Sequence, residues 1–222
     1  MLDYVVSISG INTDSEVLEI GSGTGVLGKQ LGTQVKSYIG IDISPEMVRI
    51  ANEKQSPDTF YLHGDAVDLG HFTPCQFDAV FARMILHHLT HGLSKCLQEC
   101  YKVLKQGGRL IVCENFPLAA EAEEFQKKCL DIKEERITFK PDTLRESIES
   151  AGFTVASTKE IVLTIRLSNW IDNNNLDKQR AERIKQMFVG MSDKVKQGLR
   201  CRKVGDDWLF ETKFLILSAK KK

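Results

Sequence analysis

Val17-Leu18-Glu19-Ile20-Gly21-Ser22-Gly23-Thr24-Gly25 is the stretch that decides the fold. Its first four residues are typical of a short strand, and its glycines allow positive φ angles and the close approach of a ligand to the backbone. The residues from Gly25 to Leu31 then favour a helix, whose first N–H groups are free to bind a ligand. The stretch therefore predicts a strand, a ligand-binding loop and a helix, in that order.

The loop also contains Gly23-Thr-Gly25-Val-Leu-Gly28, which has the glycine spacing of dinucleotide sites. Asp42 ends the second predicted strand and fits any cofactor that presents ribose hydroxyls there. Glu19 favours a different cofactor, because a carboxylate just before the loop is an awkward neighbour for a pyrophosphate and a suitable anchor for an amino group. Gly64-Asp65-Ala66 follows a third strand and offers a carboxylate and an N–H that can read an adenine edge. The glycine loop alone is therefore also compatible with an enzyme that uses a nicotinamide or flavin cofactor.

Strands and helices alternate along most of the chain, which predicts βαβ units and a mostly parallel sheet with helices on both faces. We expect a single α/β domain of the doubly wound type over residues 1–222. Two stretches interrupt the alternation, 115–140 and 168–207. Both begin where a predicted parallel strand ends, and ligands of doubly wound sheets lie outside those ends. We therefore predict that these stretches are helical insertions that form a cap or lid.

The composition is that of an ordinary globular protein, with 42% hydrophobic and 27% charged residues and a formal net charge of zero. Zero net charge argues against a protein that grips nucleic acid over its whole surface. The charge is nevertheless unevenly distributed, because residues 1–100 carry 12 acidic and 6 basic side chains and residues 101–222 carry 18 and 24. Much of the basic excess lies in residues 177–203, with 9 bases and 3 acids.

The cysteines predict neither a metal site nor disulfides. None of the six forms a Cys-x-x-Cys pair or a Cys/His cluster with zinc spacing, so we expect no metal. Cys96 and Cys100, four residues apart on a predicted helix, are expected to be buried thiols. The sequence shows no secretory leader pattern and no apolar run of membrane-spanning length. We expect a cytoplasmic protein without a membrane span.

Taken together and in this order, the motifs resemble those of class I S-adenosylmethionine-dependent methyltransferases, in particular the broad small-molecule group called methyltransferase type 11. The resemblance rests on the glycine loop, Asp42 and Gly64-Asp65-Ala66, and on three further motifs: Phe77-Asp78-Ala-Val, Ile85-Leu-His87-His88-Leu and Val103-Leu-Lys-Gln-Gly-Gly-Arg-Leu110. It covers residues 15–115 well and 141–166 loosely. It implies a seven-stranded sheet whose last strand, 208–219, runs antiparallel, with S-adenosylmethionine as cofactor and S-adenosylhomocysteine as product.

The resemblance also implies roles for individual residues. Those expected to hold the methionine end of the cofactor are Glu19, Gly21, Ser22, Gly23 and Gly25. Asp42 would accept the ribose hydroxyls, and the adenine would lie among Ile43, Met47, Gly64, Asp65 and Ala66. Ala82 and Arg83 would line the methionine end and face the methyl acceptor. Met47 is equally well explained as core, and Asp65 as a helix cap.

His87 and Glu114 are the candidate catalytic residues, because both are expected near the carboxyl ends of strands. A base is needed only when the acceptor loses a proton, and histidine can take one near neutral pH. The alternative is that the histidine pair only orients its loop.

The acceptor is expected to be a small molecule, apolar or aromatic. Residues expected to wall its pocket are Trp170, Met187, Phe188 and Met191, although the same apolar stripe can pack a helix onto the domain. Ala82-Arg83-Met84-Ile85 lacks the motif of enzymes that methylate exocyclic base amines. The alternatives are an RNA or protein methyltransferase that docks through the basic 177–203 helix, or a cofactor-binding partner subunit without catalysis. Only 16 residues precede Val17, so the site is open, covered by the insertions or completed by a partner, and an oligomer is compatible with the sequence.

Overall fold

The computed structural model describes residues 2–53, 55–172 and 176–222. Its first half contains α1 (Leu2–Ser7), β1 (Glu16–Ile20), α2 (Val26–Leu31), β2 (Ser37–Asp42), α3 (Pro45–Asn52), β3 (Thr59–His63), β4 (Phe77–Arg83) and α4 (Leu93–Val103). Its second half contains β5 (Leu104–Phe116), α5 (Ala120–Lys133), α6 (Pro141–Ser150), β6 (Phe153–Arg166), α7 (Leu167–Asp172), α8 (Lys178–Val189), α9 (Asp193–Gly198), β7 (Arg202–Val204) and β8 (Asp207–Lys221). Ser44-Pro45 in the sequence predicts a helix that runs toward Lys54, and the second predicted insertion spans 173–175; Lys54 and 173–175 lie outside the described residues.

The strands form one sheet in the order β3-β2-β1-β4-β5-β8-β6, with β7 paired to β8. The neighbours from β3 to β5 pair in parallel, and the sheet is antiparallel at its C-terminal end. The predicted doubly wound α/β fold is therefore confirmed, and β7 is a short strand that the sequence did not predict. The strand order reverses between β1 and β4, so the carboxyl ends of β1, β2 and β4 meet at the edge where such sheets bind ligands.

The central strands form because they consist almost entirely of apolar residues with both faces covered. In β1, Val17, Leu18 and Ile20 are completely buried, and β4 buries Phe77 and Phe81 in the same way. Continuous rather than alternating hydrophobicity is the pattern of a strand enclosed in a parallel sheet. The polar Glu19 lies in the middle of this buried run.

The beginning of β5 differs from the sequence, whose helical periodicity runs from Leu93 to Leu104 and predicts the next strand only from Arg109, after Gly107-Gly108. In the structure α4 ends at Val103, and the extended backbone of Leu104 already belongs to β5. The buried side chain of Lys221 explains the early end, since its Nζ donates hydrogen bonds to the carbonyl oxygens of Tyr101 and Leu104 at 2.6 and 2.7 Å. A cation at this end of a helix satisfies carbonyls that the helix itself leaves open.

The chain divides into two compact units. The first comprises residues 1–114, 140–159 and 215–222, and the second comprises 115–139 and 160–214. In the second unit α5 packs against α8 and α9. Its buried core consists of Ala122, Cys129, Leu167, Ile171, Ile184, Phe188, Met191, Leu199 and Phe210. The second unit thus has a hydrophobic core of its own and contains nearly all of the two predicted insertions; their function as a lid stays a prediction.

No helix in the described parts of the chain is long and apolar enough to cross a membrane.

Gly28 sits where α2 approaches the sheet most closely, and we predict that Gly28→Ala destabilises the fold. An added Cβ would lie 2.1 Å from the Tyr61 hydroxyl and 2.7 Å from Cε1 of Tyr38. Overpacking of this kind should lower the free energy of unfolding by about 1–3 kcal/mol, as measured by urea denaturation. Gly70→Ala is the control, because its Cβ would meet only the Asp68 carboxylate at 3.4 Å. Equal losses in the two variants would contradict the packing argument, and adding Tyr61→Phe should restore part of the Gly28→Ala loss.

Candidate functional site

The glycine loop between β1 and α2 combines tight packing with an open ligand position. Gly21, Gly23 and Gly25 all have positive φ angles, of 65°, 53° and 75°. A Cβ on Gly21 would lie 2.5 Å from Ile85, and one on Gly25 would lie 2.8 Å from the Tyr61 ring. A Cβ on Gly23 would meet no atom within 4 Å. The loop therefore leaves open space above Gly23, where a ligand can approach the backbone.

Asp42 ties the glycine loop to the beginning of α3. Its Oδ2 accepts a hydrogen bond from the Gly23 N–H at 2.8 Å, and its Oδ1 accepts one from the Ser44 N–H at 2.9 Å. Ser44 in turn caps α3, because its hydroxyl accepts from the Met47 N–H. Each carboxylate oxygen has a second lone pair, so Asp42 can hold the loop and still accept ligand hydroxyls.

Glu19 is a completely buried carboxylate at this end of β1. The Tyr38 hydroxyl donates a hydrogen bond to its Oε2, and Arg83 Nε lies 3.9 Å from its Oε1. Burial raises the pKa of Glu19 to about 7, against the opposing effects of Arg83 and the Tyr38 hydrogen bond. The carboxylate is therefore poised near neutrality and is only partly compensated by its neighbours.

Three buried polar atoms at this place have no hydrogen-bond partner within the described residues. They are Glu19 Oε1, Ser22 Oγ and Arg83 Nε. Buried polar groups are nearly always hydrogen-bonded, so unpaired ones mark a place where a ligand supplies the partners. A carboxylate beside a guanidinium fits a ligand that carries an ammonium and a carboxylate, as an amino acid does.

The residues expected around an adenine cluster at the ends of β2 and β3. Asp42 and His63 are paired in the β2–β3 register, and His63 Nε2 lies 3.1 Å from the Ile43 carbonyl oxygen. Ile43 is 65% exposed, an unusual state for isoleucine, and Met47 is half-buried nearby in α3. Beyond Gly64, Asp65 is exposed and its Oδ1 accepts from the Val67 N–H, whereas Ala66 is buried. The structure therefore places these residues at the carboxyl ends of two adjacent strands.

The expected catalytic residues His87 and Glu114 form a buried pair. His87 Nδ1 lies 2.6 Å from Glu114 Oε2, and Glu114 Oε1 accepts from the Leu86 N–H at 2.8 Å. The loop that holds them leaves β4 through Met84, whose φ is 57° and whose N–H donates to the Cys113 carbonyl oxygen. Both oxygens of Glu114 are therefore engaged, and they fix the loop that follows Arg83.

The four expected acceptor residues lie in the second unit in different environments. Phe188 and Met191 are buried in its core, with the Phe188 ring 5.3 Å from that of Phe210. Trp170 is covered on one face by Lys133, whose Nζ lies 3.8 Å from the ring centroid. Met187 lines a cleft of about 740 Å³ together with mostly charged residues: Lys128, Asp131, Ile132, Glu134, Glu135, Arg180 and Arg183. Of the four, Met187 is therefore the residue that lines this ligand-sized cleft among the described residues.

The sequence analysis missed Tyr38 and Lys133. Tyr38 lies in a strand of apolar residues and is indistinguishable by pattern from a core aromatic, yet its hydroxyl binds Glu19. Lys133 donates to the Trp170 carbonyl oxygen, and burial lowers its pKa to about 8. The one signal was its spacing, because Lys133 follows the buried Cys129 by one helical turn in α5.

Residues 18–112 match the family model of a methyltransferase domain. The chain is 25% identical over 196 residues to the uncharacterized methyltransferase YcgJ of Bacillus subtilis, covering 82% of this chain and 74% of YcgJ. The crystal structure of YcgJ superposes with a TM-score of 0.85 at 21% identity, over 100% of this chain and 97% of YcgJ. The fold of this chain is therefore the fold of YcgJ.

Two relatives with named substrates match about half of the chain. A demethylmenaquinone methyltransferase of Tropheryma whipplei is 33% identical over 109 residues, which are 47% of this chain and 44% of that protein. A phosphoethanolamine N-methyltransferase of Plasmodium falciparum is 31% identical over 116 residues, which are 50% of this chain and 42% of that protein. The chain thus spans less than half of the length of these two relatives, so their substrates do not transfer directly. Residues 18–112 of this chain match a methyltransferase domain, and this domain and the fold make the chain similar to class I S-adenosylmethionine-dependent methyltransferases.

Proposed function

We propose that the protein transfers the methyl group of S-adenosylmethionine to a small-molecule acceptor by direct displacement. The observation that carries the proposal is the buried Glu19 carboxylate with an unpaired oxygen, 3.9 Å from the unpaired Nε of Arg83. This pair lies beside a glycine loop that leaves room for a ligand at Gly23. The cofactor ends in an ammonium and a carboxylate, which are the partners that these two side chains lack.

Glu19 and Arg83 would bind the two charges of the methionine end. The ammonium is placed on Glu19 Oε1 and the carboxylate on Arg83 Nε–H, while the Ser22 hydroxyl is the third unpaired group available to them. Gly21 and Gly25 hold the loop against Ile85 and Tyr61, so the backbone at Gly23 stays open to the ligand. Ala82 is completely buried beside this place at the end of β4.

The nucleoside would lie along the ends of β2 and β3. Asp42 accepts the ribose hydroxyls with the lone pairs left by its two backbone hydrogen bonds. The exposed Ile43 and half-buried Met47 cover the adenine, and Asp65 accepts its amino hydrogen. Gly64 and Ala66 supply backbone contacts on either side of Asp65.

The cofactor supplies a methyl group on a positively charged sulfur, which makes the transfer a displacement that needs orientation more than chemical help. His87 is proposed to accept the proton of acceptors that must lose one. Glu114 is proposed to position His87 rather than to act as a base, because its oxygens already bind His87 Nδ1 and the Leu86 N–H.

The acceptor is proposed to be a small molecule, apolar or aromatic in its main part. The two relatives are named for small-molecule acceptors of different chemistry, demethylmenaquinone and phosphoethanolamine, and each matches about half of this chain. The cleft beside Met187 is also bordered by charges of both signs, which can bind polar groups at the end of such an acceptor. We propose Met187 and Trp170 as acceptor contacts, with Phe188 and Met191 supporting them from the core.

Asp42→Ala should weaken binding of S-adenosylhomocysteine by about 1.5–3 kcal/mol, roughly 10- to 150-fold, because charge-assisted hydrogen bonds to the ribose are lost. Isothermal titration calorimetry measures the affinity. Asp58→Ala, at an exposed position just before β3, is the control and should leave it unchanged. Tight binding of NAD together with no binding of S-adenosylhomocysteine would overturn the proposed cofactor.

The affinity for S-adenosylhomocysteine should rise with pH up to about 7 and then level off. The pKa of Glu19 is about 7 because burial disfavours its charge, and an ammonium binds the ionised form. Below that pH the affinity should fall by at most about tenfold per pH unit, since one proton must leave Glu19 on binding. Protonation of Glu19 also affects the stability of the ligand-free protein. Its stabilising contribution is fully present below the pKa that Glu19 has in the unfolded chain, and it is lost as the pH rises through about 7, the pKa in the folded protein.

Tyr38→Phe provides the test of that assignment. Loss of the hydrogen bond that lowers the pKa of Glu19 should move the midpoint of the pH dependence upward, and Glu19→Gln should remove the dependence and weaken binding. An unaltered pH profile in Glu19→Gln would show that another group titrates.

His87→Gln should lower kcat by about 10²- to 10⁴-fold for an acceptor that loses a proton, with little change in cofactor affinity. The acceptor is first found by screening small molecules with labelled cofactor. Glu114→Gln should lower kcat in the same direction, because His87 loses its charged partner. His91→Gln alters an exposed histidine just beyond the loop and serves as the control. Full activity of His87→Gln on such an acceptor would exclude a proton-accepting role.

A further inference from the structure

A small cavity lies within the second unit, at the carboxyl end of β5. Every residue that lines it belongs to the continuous stretch 115–139. Asn115 and Phe116 are the last two residues of β5, and they contribute to the lining together with residues of α5. Ligands of doubly wound sheets bind outside the carboxyl ends of the parallel strands, so the cavity occupies a position at which this fold binds ligands.

Arg136 is a buried cation in the lining of this cavity, with a side chain that is only 5% exposed. Its Nη1 donates to Glu134 Oε1 at 2.9 Å, and its Nη2 donates to Asn115 Oδ1 at 3.0 Å. These two bonds fix the plane of the guanidinium, and the Glu134 carboxylate compensates its charge. The Nε–H is also buried, and it has no hydrogen-bond partner among the described residues. Arg136 is therefore held in place while one of its donors is left available to a ligand.

Gln126 supplies the complementary group. It lines the same cavity from α5, and its buried Oε1 has no hydrogen-bond partner in the described part of the chain. Buried donors and acceptors are nearly always paired in native proteins, and each one left unpaired costs stability. An unpaired donor and an unpaired acceptor on residues that line one cavity indicate that a bound group satisfies both.

The chemistry of that group follows from the two unpaired atoms and from the available volume. A hydroxyl accepts from the Arg136 Nε–H and donates to Gln126 Oε1, whereas a carbonyl satisfies only the first and an ammonium only the second. The cavity, of about 20 Å³, has room for one oxygen atom with its hydrogens. Phe116, Leu130 and Phe139 also line it, and they suit an apolar or aromatic body attached to that oxygen.

We propose that this cavity binds a hydroxyl group of the methyl acceptor and thereby selects acceptors that carry a hydroxyl on an apolar or aromatic body. That the ligand is the acceptor rests on the proposed function, whereas the hydroxyl specificity rests on Arg136 and Gln126. The bound hydroxyl is an anchor and is not itself methylated, because it keeps its proton on Gln126 and gives a lone pair to the guanidinium. Arg136 and Gln126 are therefore specificity-determining residues.

The test is a titration of the full-length protein with phenol, followed by NMR through the nitrogen–proton signal of the Arg136 Nε–H group. Burial protects this proton from exchange, and the signal is assigned by its disappearance in Arg136→Lys. Toluene is the matched probe, because it carries a methyl group in place of the hydroxyl. We expect phenol to shift the signal saturably and toluene to bind about tenfold more weakly, since toluene leaves the buried donor and acceptor unpaired.

Gln126→Met removes the acceptor at nearly constant side-chain length and leaves Arg136 in place. It should weaken phenol binding by about tenfold. Gln197→Met, at an exposed position of α9, is the control and should leave phenol binding unchanged. For acceptors found by the labelled-cofactor screen, Gln126→Met should raise KM for those that carry a hydroxyl, with little change in kcat.

A cavity that holds only a buried water would give a different result. Phenol would then leave the Arg136 signal unchanged, and Gln126→Met would lower the free energy of unfolding because a bond to that water is lost. That outcome, or equal affinities for phenol and toluene, overturns the proposal. The phenol titration involves no methyl transfer, so its failure leaves the proposed function standing. Absence of S-adenosylhomocysteine binding would instead overturn the proposed function and leave a hydroxyl-binding cavity.

Discussion

The burial of the Glu19 carboxylate is the constraint around which the cofactor half is organised. An ionised carboxylate without solvent is costly unless it is paired and hydrogen-bonded. Tyr38 and Arg83 offset only part of that cost, as the pKa of about 7 shows. The neighbours Val17, Leu18 and Ile20 show that an apolar residue would fit the strand better. Glu19 therefore costs stability in the ligand-free fold, and an ammonium ligand is the natural compensation.

The glycine loop resolves into two separate functions, which explains why its pattern is ambiguous in sequence. Gly21, Gly25 and Gly28 are small because Ile85, Tyr61 and Tyr38 occupy the space of a side chain. Of these four glycines, Gly23 is the one whose added Cβ would meet no atom within 4 Å. Its N–H donates a hydrogen bond to Asp42. The last glycine of the Gly-x-Gly-x-x-Gly spacing is thus required by helix-to-sheet packing. That glycine therefore does not distinguish one cofactor from another. Glu19 does, because its buried carboxylate favours a ligand with an ammonium group.

The elements that sequence predicted well are those whose signal is local. Strand–helix alternation gave the doubly wound fold, and the glycine loop and Asp42 fell at the carboxyl ends of the strands as expected. The errors arose where a distant residue decides the outcome. Lys221 stabilises the end of α4 from more than a hundred residues away, and β7 exists because β8 lies beside it. The hydrophobic periodicity of a local stretch of sequence cannot predict either of these long-range contacts.

In the candidate site, the sequence predicted where residues lie along their strands and helices but not where their side chains point. Sequence placed Glu114 at the end of a strand, but only the structure shows that both its oxygens point to the backbone and ring of the preceding loop. The basic segment 177–203 was predicted as one helix, which is wrong, because the structure divides it into α8, α9 and β7 and leaves Met191 between the two helices. Within α8, Phe188 turns into the core and Met187 lines a cleft. A helical stripe wide enough to pack cannot by itself reveal which of its edges remains open.

Local spacing decides where charge remains available for binding, and total charge does not. In α5, Lys127 and Lys128 each meet a carboxylate four residues away, so these charges cancel within the helix. In α8, Lys178 and Lys185 have no such partner among the described residues, although the same unit contains both kinds of charge. The chain as a whole is neutral, with 30 basic and 30 acidic residues, yet Lys178, Lys185, Lys194 and Lys203 meet no carboxylate among the described residues. A composition that argues against nucleic-acid binding over the whole surface is therefore compatible with a segment whose positive charges remain unpaired.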